Sequence, residues 1–142
     1  MLEQTKTILT KDFIKIKVLG IGGGGNNAVN QMINTDIYGA EYILVNTEKG
    51  ILDRANTNEV KTLQIGKEVA KGLGAGANPD VGEKSAVEST DEIDKILEGA
   101  VLVFLTAGMR RGNRDRCYTY NCIKSKTKRH FNGCNCNYSI YF

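Results

Sequence analysis

The sequence predicts an α/β fold with a parallel sheet, and three observations support this fold class. Apolar stretches that suit buried strands recur between residues 14 and 108. Stretches with the apolar spacing of helices lie between them. Two glycine-rich loops, at 22–25 and 72–76, each follow a predicted strand and lead into a predicted helix. The resulting order, β-α-β-(α)-β-α-β, favours parallel strands with helices on the faces of the sheet.

The first half of this pattern begins with a strand at residues 14–21, "IKIKVLGI". Its apolar residues first alternate and then become continuous, which suits a strand entering a sheet that is covered on both faces. The glycine run that follows opens a helix in which Ala28, Val29, Met32 and Ile33 have helical spacing. Strands are predicted at 41–47 and 60–65, with a short helical piece between them.

One long helix is predicted from Asn78 to a stop at Gly99. Asn78 is a favourable N-cap, Pro79 suits the first helical position, and Asp80 lies in the first turn. The predicted buried stripe of this helix contains Val81, Ala86, Val87, Ile93, Ile96 and Leu97. The fourth strand follows at 100–108, "AVLVFLTAG".

Composition divides the chain near Met109. Residues 1–109 contain 11 Lys and Arg against 15 Asp and Glu, whereas residues 110–142 contain 8 against 1. All 4 cysteines lie in the second part, and 14 of the 16 glycines lie in the first. We therefore predict a flexible terminus at 1–12, one domain at 13–109 and a tail at 110–142 that is disordered. Neither an apolar run of membrane-spanning length nor a secretory leader is present, which indicates a cytoplasmic protein without direct membrane insertion.

The glycine loops predict a phosphate ligand. A glycine run between strand and helix lets the backbone approach a ligand closely and presents free N–H groups to an anion. A single such loop could instead be only a tight turn. Gly20, Gly22 and Gly25 also match G-x-G-x-x-G, so a dinucleotide-binding Rossmann module is an alternative. Its acidic ribose ligand would be Glu48, which comes somewhat late, and such a fold does not require the second glycine loop.

Four motifs, in this order and at these spacings, carry a resemblance to a known family: "IKVLGIGGGGNNAVNQMI", "VNTE", "KGLGAGANPDVG" and "VLVFLTAGM". Over about residues 13 to 109 the chain resembles the amino-terminal part of FtsZ, the bacterial tubulin-like cell-division GTPase family. The resemblance implies a truncated version of the Rossmann-like parallel sheet of the tubulin/FtsZ GTPase domain. It further implies GTP or GDP as ligand with accompanying Mg²⁺, head-to-tail self-association, division-ring partners and a position at mid-cell.

The resemblance also implies the binding residues. Phosphate contacts would come from Gly22, Gly23, Gly24, Gly25, Asn26 and Asn27. Asn46 and Glu48 would lie at a second nucleotide loop, and Ala75, Gly76, Ala77 and Asn78 would surround the β- and γ-phosphates. Gly108 is the last predicted binding residue. We assign no catalytic or metal-ligating residue, because the acidic loop that the family uses for hydrolysis lies beyond this chain.

The resemblance stops after "TAGM". The family continues with the phosphate-binding signature GGGTGTG, whereas positions 110–116 read "RRGNRDR". Codons for this stretch, read one base later, permit Gly-Gly-Gly-Thr-Gly-Thr-Gly-Ala-Thr-Pro-Ile-Ile-Ala. Residues 131–142, shifted the same way, permit Leu-Thr-Val-Ala-Ile-Val-Thr-Thr-Pro-Phe, an apolar strand of the family's kind. The hypothesis is that residues 110–142 are an out-of-frame translation ended by an accidental stop.

If this hypothesis is correct, the motifs in the tail are not evidence for a function. A zinc site could be drawn from His130, Cys117, Cys122, Cys134 and Cys136, but their spacing matches no common zinc pattern. The basic and aromatic residues could form a nucleic-acid arm, for which we expect no sequence specificity. The chain as written is expected to bind GTP weakly or not at all and to lack GTPase activity. An inactive or filament-capping fragment is therefore a further alternative.

Overall fold

A computed structural model of the chain describes residues 15–35, 39–55, 59–108, 119, 121, 123–125 and 137–141. The strands are β1 (Ile16–Ile21), β2 (Ala40–Asn46), β3 (Val60–Gln64), β4 (Leu102–Ala107) and β5 (Asn137–Tyr141). The helices within the described ranges are α1 (Gly22–Ile33), α2 (Lys49–Arg54), α3 (Pro79–Glu88) and α4 (Thr90–Leu97). The predicted strands and the helix after the first glycine loop are therefore confirmed.

The strands form one parallel sheet in the order β3-β2-β1-β4-β5. The chain moves outward from β1 to β3 and then crosses back to β4 on the other side of β1. This reversal creates a switch point beside the carboxyl end of β1. Ligands of open α/β sheets bind at such points, so the topology already indicates where a site should lie.

Both faces of the sheet are buried, because alternate strand residues enter two separate cores. One face packs against α4, and its core contains Leu19, Ile21, Ile43, Val45, Leu63, Ile65, Ile93, Leu97, Val103, Leu105, Ala107 and Ile123. The other face packs against α1 and α2, and its core contains Val18, Val29, Tyr42, Leu44, Leu52 and Val60. Coverage on both sides explains why β2 and β4 contain nearly continuous apolar runs, whereas the edge strand β3 contains exposed polar residues.

The predicted long helix is two helices that meet at Ser89. Its predicted start is confirmed, since the Asn78 side chain accepts a hydrogen bond from the Asp80 N–H at 3.0 Å. The Ser89 hydroxyl accepts from the Gly66 N–H at 3.1 Å, and the Thr90 hydroxyl donates back to the Val87 carbonyl at 2.7 Å. Such back-bonding bends helices. The prediction that Val87 is buried is wrong, because it is 62% exposed. The buried face of α3 and α4 instead contains Gly82, Ser85, Ala86, Ser89, Ile93 and Leu97.

Lys17 joins the sheet to the end of α4. Its ammonium is buried and donates to the carbonyl oxygens of Ile96, at 2.5 Å, and Glu98, at 3.0 Å. These carbonyls belong to the carboxyl end of α4, where a cation satisfies unpaired acceptors and interacts favourably with the helix dipole. Glu41 lies opposite Lys17 in the β1–β2 register, and its Oε2 is 4.0 Å from Nζ of Lys17.

The structure describes a small part of the tail, at residues 119, 121, 123–125 and 137–141; the rest of 110–142, and the disorder predicted there, lies outside the described residues. The strand β5 pairs in parallel with β4 from Val103 opposite Asn137 to Ala107 opposite Tyr141. Ile123 is fully buried in the core under α4. The edge of β4 offers a row of backbone N–H and C=O groups, and extended chain can pair with them whatever its side chains are. Within the described ranges, no helix is long and apolar enough to cross a membrane.

We expect Ile123→Ala to destabilise the protein by about 2–5 kcal/mol, the usual cost of truncating a fully buried aliphatic side chain. The measurement is urea unfolding of the full chain followed by circular dichroism. Ser125→Ala, on the exposed side of the same segment, is the control and should change the stability by less than about 0.5 kcal/mol. Equal stability of the two variants would show that the tail does not pack as described.

Candidate functional site

A cleft of about 290 Å³ opens at the carboxyl ends of β1 and β2. The strand register creates it: Ile21 lies opposite Val45 of β2 and Ala107 of β4, so these strands end at the same level. The start of α1, the turn after β2 and the loop before α3 form its walls. Its volume is near the lower end of the ~300–1,000 Å³ found for ligand pockets.

The amino terminus of α1 opens directly into this cleft. Ile21 occupies the N-cap position without a side-chain hydrogen bond, and the first turn of α1 contains no acidic residue. The first N–H groups of a helix have no partner within the helix, and the helix dipole favours an anion near them. Gly22 has a φ of +69°, which glycine adopts at little cost. The wall at Gly22 and Gly23 is therefore suited to a phosphate group.

Gly20 and Gly25 have a packing role. A Cβ on Gly25 would overlap the Thr106 carbonyl oxygen and come within 3.0 Å of the Gly20 carbonyl carbon. A Cβ on Gly20 would lie 2.6 Å from the Gly25 carbonyl oxygen and 2.8 Å from Cγ2 of Val29. These two glycines let α1 lie directly on β1 and β4. The outer glycines of the G-x-G-x-x-G pattern are thus explained by helix–sheet contact.

A chain of side-chain amides connects the first two walls of the cleft. Asn26 is buried, and the orientation of its amide that fits its neighbours donates to the carbonyl oxygens of Gly20 (2.8 Å) and Gly22 (3.0 Å). Its oxygen accepts from Nδ2 of Asn46 at 3.1 Å. The oxygen of Asn46 in turn accepts from the Glu48 N–H at 3.1 Å. Asn26 and Asn46 therefore hold the backbone of the site.

The third wall is a loop with an unusual density of left-handed residues. Gly72, Gly74, Gly76 and Ala77 all have positive φ, and Ala77, at +61°, carries a side chain that makes this conformation uncommon. The Asn78 N–H donates to the Ala75 carbonyl at 2.9 Å, which closes a turn with both central residues at positive φ. Successive N–H groups in turns of this kind form concave anion sites.

The segment between β3 and this loop is held by α3 and α4. The carboxylate of Glu88 accepts from the N–H groups of Glu68 (3.0 Å) and Val69 (3.2 Å). Nζ of Lys67 donates to Glu92 at 2.8 Å. This hydrogen bond, and then the negative charge of Glu92, raise the pKa of the Lys67 ammonium above its usual value. The base of the loop is thereby fixed while its tip reaches the cleft.

The structure brings together only some of the predicted binding residues. Those that line the cleft are Gly22, Gly23, Asn46, Glu48, Ala75, Gly76 and Ala77. Gly24, Gly25, Asn26, Asn27, Asn78 and Gly108 are not among the lining residues. Gly25 and Asn26 are buried beneath the lining, Asn27 is exposed on α1, and Asn78 caps α3.

Sequence reasoning missed other lining residues, including Thr47, Ile51, Leu73, Gly82 and Thr119. Thr47 and Leu73 adjoin predicted positions, so a wider window would have included them. Thr119 belongs to the tail, and nothing in the sequence around it indicates that its hydroxyl donates to the Gly82 carbonyl at 3.2 Å. In the described part of the chain, no group of His, Cys, Asp and Glu could hold a metal ion. The cysteines and His130 lie outside the described residues.

A protein-family model supplies the deciding observation. The model of the Tubulin/FtsZ family, GTPase domain, matches residues 15–113, which is most of the chain. The chain belongs to the tubulin/FtsZ family. This identification confirms the resemblance found in the four sequence motifs, and with it the Rossmann-like parallel sheet.

Two curated relatives are the cell division protein FtsZ of Coxiella burnetii, 53% identical over 98 residues, and that of Pseudomonas aeruginosa, 50% identical over 97 residues. The matches cover 69% and 68% of this chain but only 25% and 24% of the relatives. The chain thus spans about a quarter of the length of these FtsZ proteins.

Solved structures agree with this family membership. An empty FtsZ dimer of M. jannaschii is 33% identical, with a TM-score of 0.75, and the match covers 89% of this chain and 36% of that one. TubZ of the Clostridium botulinum phage c-st is 17% identical, with a TM-score of 0.51, over 89% of this chain and 51% of that one. The TubZ likeness shows the fold alone.

We expect Gly25→Ala to destabilise the domain by about 1–3 kcal/mol, because the added methyl must push α1 away from the sheet. Gly50→Ala in α2 is the matched control, since a Cβ there meets no atom within 4 Å. It should stabilise the protein by about 0.5–1 kcal/mol through helix propensity. Urea unfolding of both variants checks the pair, and similar stabilities would contradict the described helix–sheet contact.

Proposed function

We propose that the cleft binds GTP or GDP and that this domain is the nucleotide-binding part of a self-polymerising cell-division protein. The observation that carries the proposal is the pairing of two anion-binding backbones across one cleft. The free N–H groups at the start of α1 face the loop of left-handed residues that includes Gly76 and Ala77. Phosphates are the ligand groups that such backbones favour.

The walls suggest how a nucleotide would be oriented. The Gly22 and Gly23 wall would hold one phosphate, and the turn at Ala75–Asn78 would hold another. Glu48 lines the same cleft, which supports assigning it to a second nucleotide loop. An accompanying Mg²⁺ would be held chiefly by phosphate oxygens and water, as Mg²⁺ at nucleotide sites usually is. The protein contributes binding and orientation by backbone dipoles, and we assign no residue to hydrolysis.

The wider role follows from family membership. FtsZ relatives at 50% identity or above are named as cell division proteins, and one solved FtsZ structure is a dimer. Head-to-tail self-association, division-ring partners and a cytoplasmic position at mid-cell are proposed on this basis. A filament-capping role is the alternative; it predicts that the chain, added to an assembling full-length FtsZ, shortens its filaments.

We further propose that a one-base slip near codon 110 produced the segment "RRGNRDR" in place of the family's GGGTGTG. The slip is supported because residues from 110 onward and residues 131–142 both permit family-like sequence in the same shifted frame. The family-model match ends at residue 113, close to the change. A loop built from arginines cannot approach phosphates as glycine backbone does, so this chain should bind GTP weakly and should not hydrolyse it.

Restoring the signature tests the site. We expect the chain with residues 110–116 replaced by GGGTGTG to bind GTP at least roughly tenfold more tightly than the chain as written, because each hydrogen bond to a charged group contributes about 1.5–3 kcal/mol. Calorimetric titration with GTP, with NAD as the competing ligand, gives the affinities. A variant with the same seven residues in scrambled order is the control. Preference for NAD would favour the dinucleotide-binding alternative, and stoichiometric GTP on the chain as written would refute the expected defect.

The slip itself is tested on the DNA. We expect sequencing across codons 105–120 to reveal one base that, once removed, restores GGGTGTG in frame. A coding sequence in which no single-base change restores that signature would refute the slip and leave "RRGNRDR" as a departure of this chain within its family.

A further inference from the structure

We propose that Asn26 and Asn46 form a positioning pair that sets the direction of the N–H groups at the start of α1 and couples them to the turn at Glu48. The pair thereby controls how tightly the cleft holds a phosphate group. This inference rests on the proposed nucleotide function for its ligand, but the geometry behind it does not depend on the ligand.

The protein itself uses all the N–H groups of the Asn26 amide, and it uses the oxygen and one of the two N–H groups of the Asn46 amide. Asn26 is 1% exposed and Asn46 is 7% exposed. Nδ2 of Asn26 has two N–H groups, and these donate to the carbonyls of Gly20 and Gly22, while its oxygen accepts from Asn46. An amide with its donors satisfied in this way has no N–H left for a ligand. Asn26 must therefore act through the backbone that it holds.

Because the peptide group is planar, these hydrogen bonds also set the direction of a backbone N–H at the cleft. The Gly22 carbonyl and the Gly23 N–H belong to one planar peptide group and point in opposite directions. When Asn26 fixes the Gly22 carbonyl, it also fixes the direction of the Gly23 N–H. Glycine at position 22, with a φ of +69°, imposes little restriction of its own, and Ile21 supplies no side-chain cap.

The other end of the pair reaches the second wall. The oxygen of Asn46 accepts from the Glu48 N–H at 3.1 Å, so the first residues after β2 are held by the same chain of hydrogen bonds. Because Asn26 and Asn46 are buried, water does not compete for the hydrogen bonds between them. A displacement of the backbone at one wall should therefore also displace the backbone at the other wall.

Three variants of the full chain separate this role from simple packing. Asn26→Leu removes the donors without adding a charge. Asn26→Asp keeps an acceptor for Asn46 but places a carboxylate against two carbonyl oxygens, which raises its pKa. Once protonated, that carboxyl regains one donor and one acceptor and resembles the original amide. Asn30→Asp adds the same charge on the exposed side of α1 and is the control.

The first measurement needs no ligand and uses the chain as written. We expect the backbone amide resonances of Gly22, Gly23 and Glu48 to shift together in Asn26→Leu and to stay unchanged in Asn30→Asp. Unfolding in urea confirms that each variant is folded. If Asn26→Leu is folded and the Glu48 resonance does not move, the coupling between the two walls is refuted.

The second measurement uses GTP and the chain with GGGTGTG restored. Asn26→Leu should weaken GTP binding roughly tenfold at every pH, as expected for loss of about one net hydrogen bond. Asn26→Asp should bind weakly at about pH 8 and recover towards the parent at about pH 5.5, whereas Asn30→Asp should show no such recovery. Parent-like GTP binding by Asn26→Leu would overturn the proposal. If the restored parent itself fails to bind GTP, the proposed function fails, and the resonance shifts alone decide whether the pair positions the backbone.

Discussion

The close contact between α1 and the sheet at Gly20 and Gly25 is the constraint on which the site depends. Without a Cβ at either position, the helix rests on β1 and on the Thr106 carbonyl of β4. This contact places the first turn of α1 beside the switch point between β1 and β4. The unpaired N–H groups of the helix then face the carboxyl ends of the strands, where the other walls of the cleft also end.

Hydrogen bonds between buried amides connect the start of α1 to the turn after β2. Asn26 and Asn46 would cost free energy in an apolar interior if their groups were unpaired, but here they bond to each other and to backbone groups. The buried hydroxyl groups of Tyr42 and Ser85, by contrast, find no hydrogen-bond partner among the residues that the structure describes. The paired amides therefore support a preorganised backbone at the loops of the site.

Patterns among neighbouring residues were sufficient to predict the strands β1 to β4, the start of α3 and the glycine-rich walls of the cleft. Period-2 patterns, an Asn-Pro start and glycine runs are signals carried by neighbouring residues. At the junction of α3 and α4, Ser89 accepts from the N–H of Gly66, which is distant along the chain, and the exposure of Val87 depends on which face of α3 is buried. Likewise, the pairing of Asn26 with Asn46 could not be predicted, because it is visible only in three dimensions.

If residues 110–142 arose from the proposed one-base slip, the tail indicates which parts of a fold tolerate altered side chains. Such a slip changes the side chains but keeps the spacing of residues up to the new stop, so a segment can still reach the edge of β4 at the same distance along the chain. Pairing with that edge uses backbone groups, which agrees with the position of β5 beside β4 and with a likeness to FtsZ structures over 89% of the chain. A phosphate loop is less tolerant, because it needs the absence of a Cβ at several consecutive positions. The proposed slip would therefore keep a strand of the sheet and still remove a phosphate-binding loop of the proposed nucleotide site.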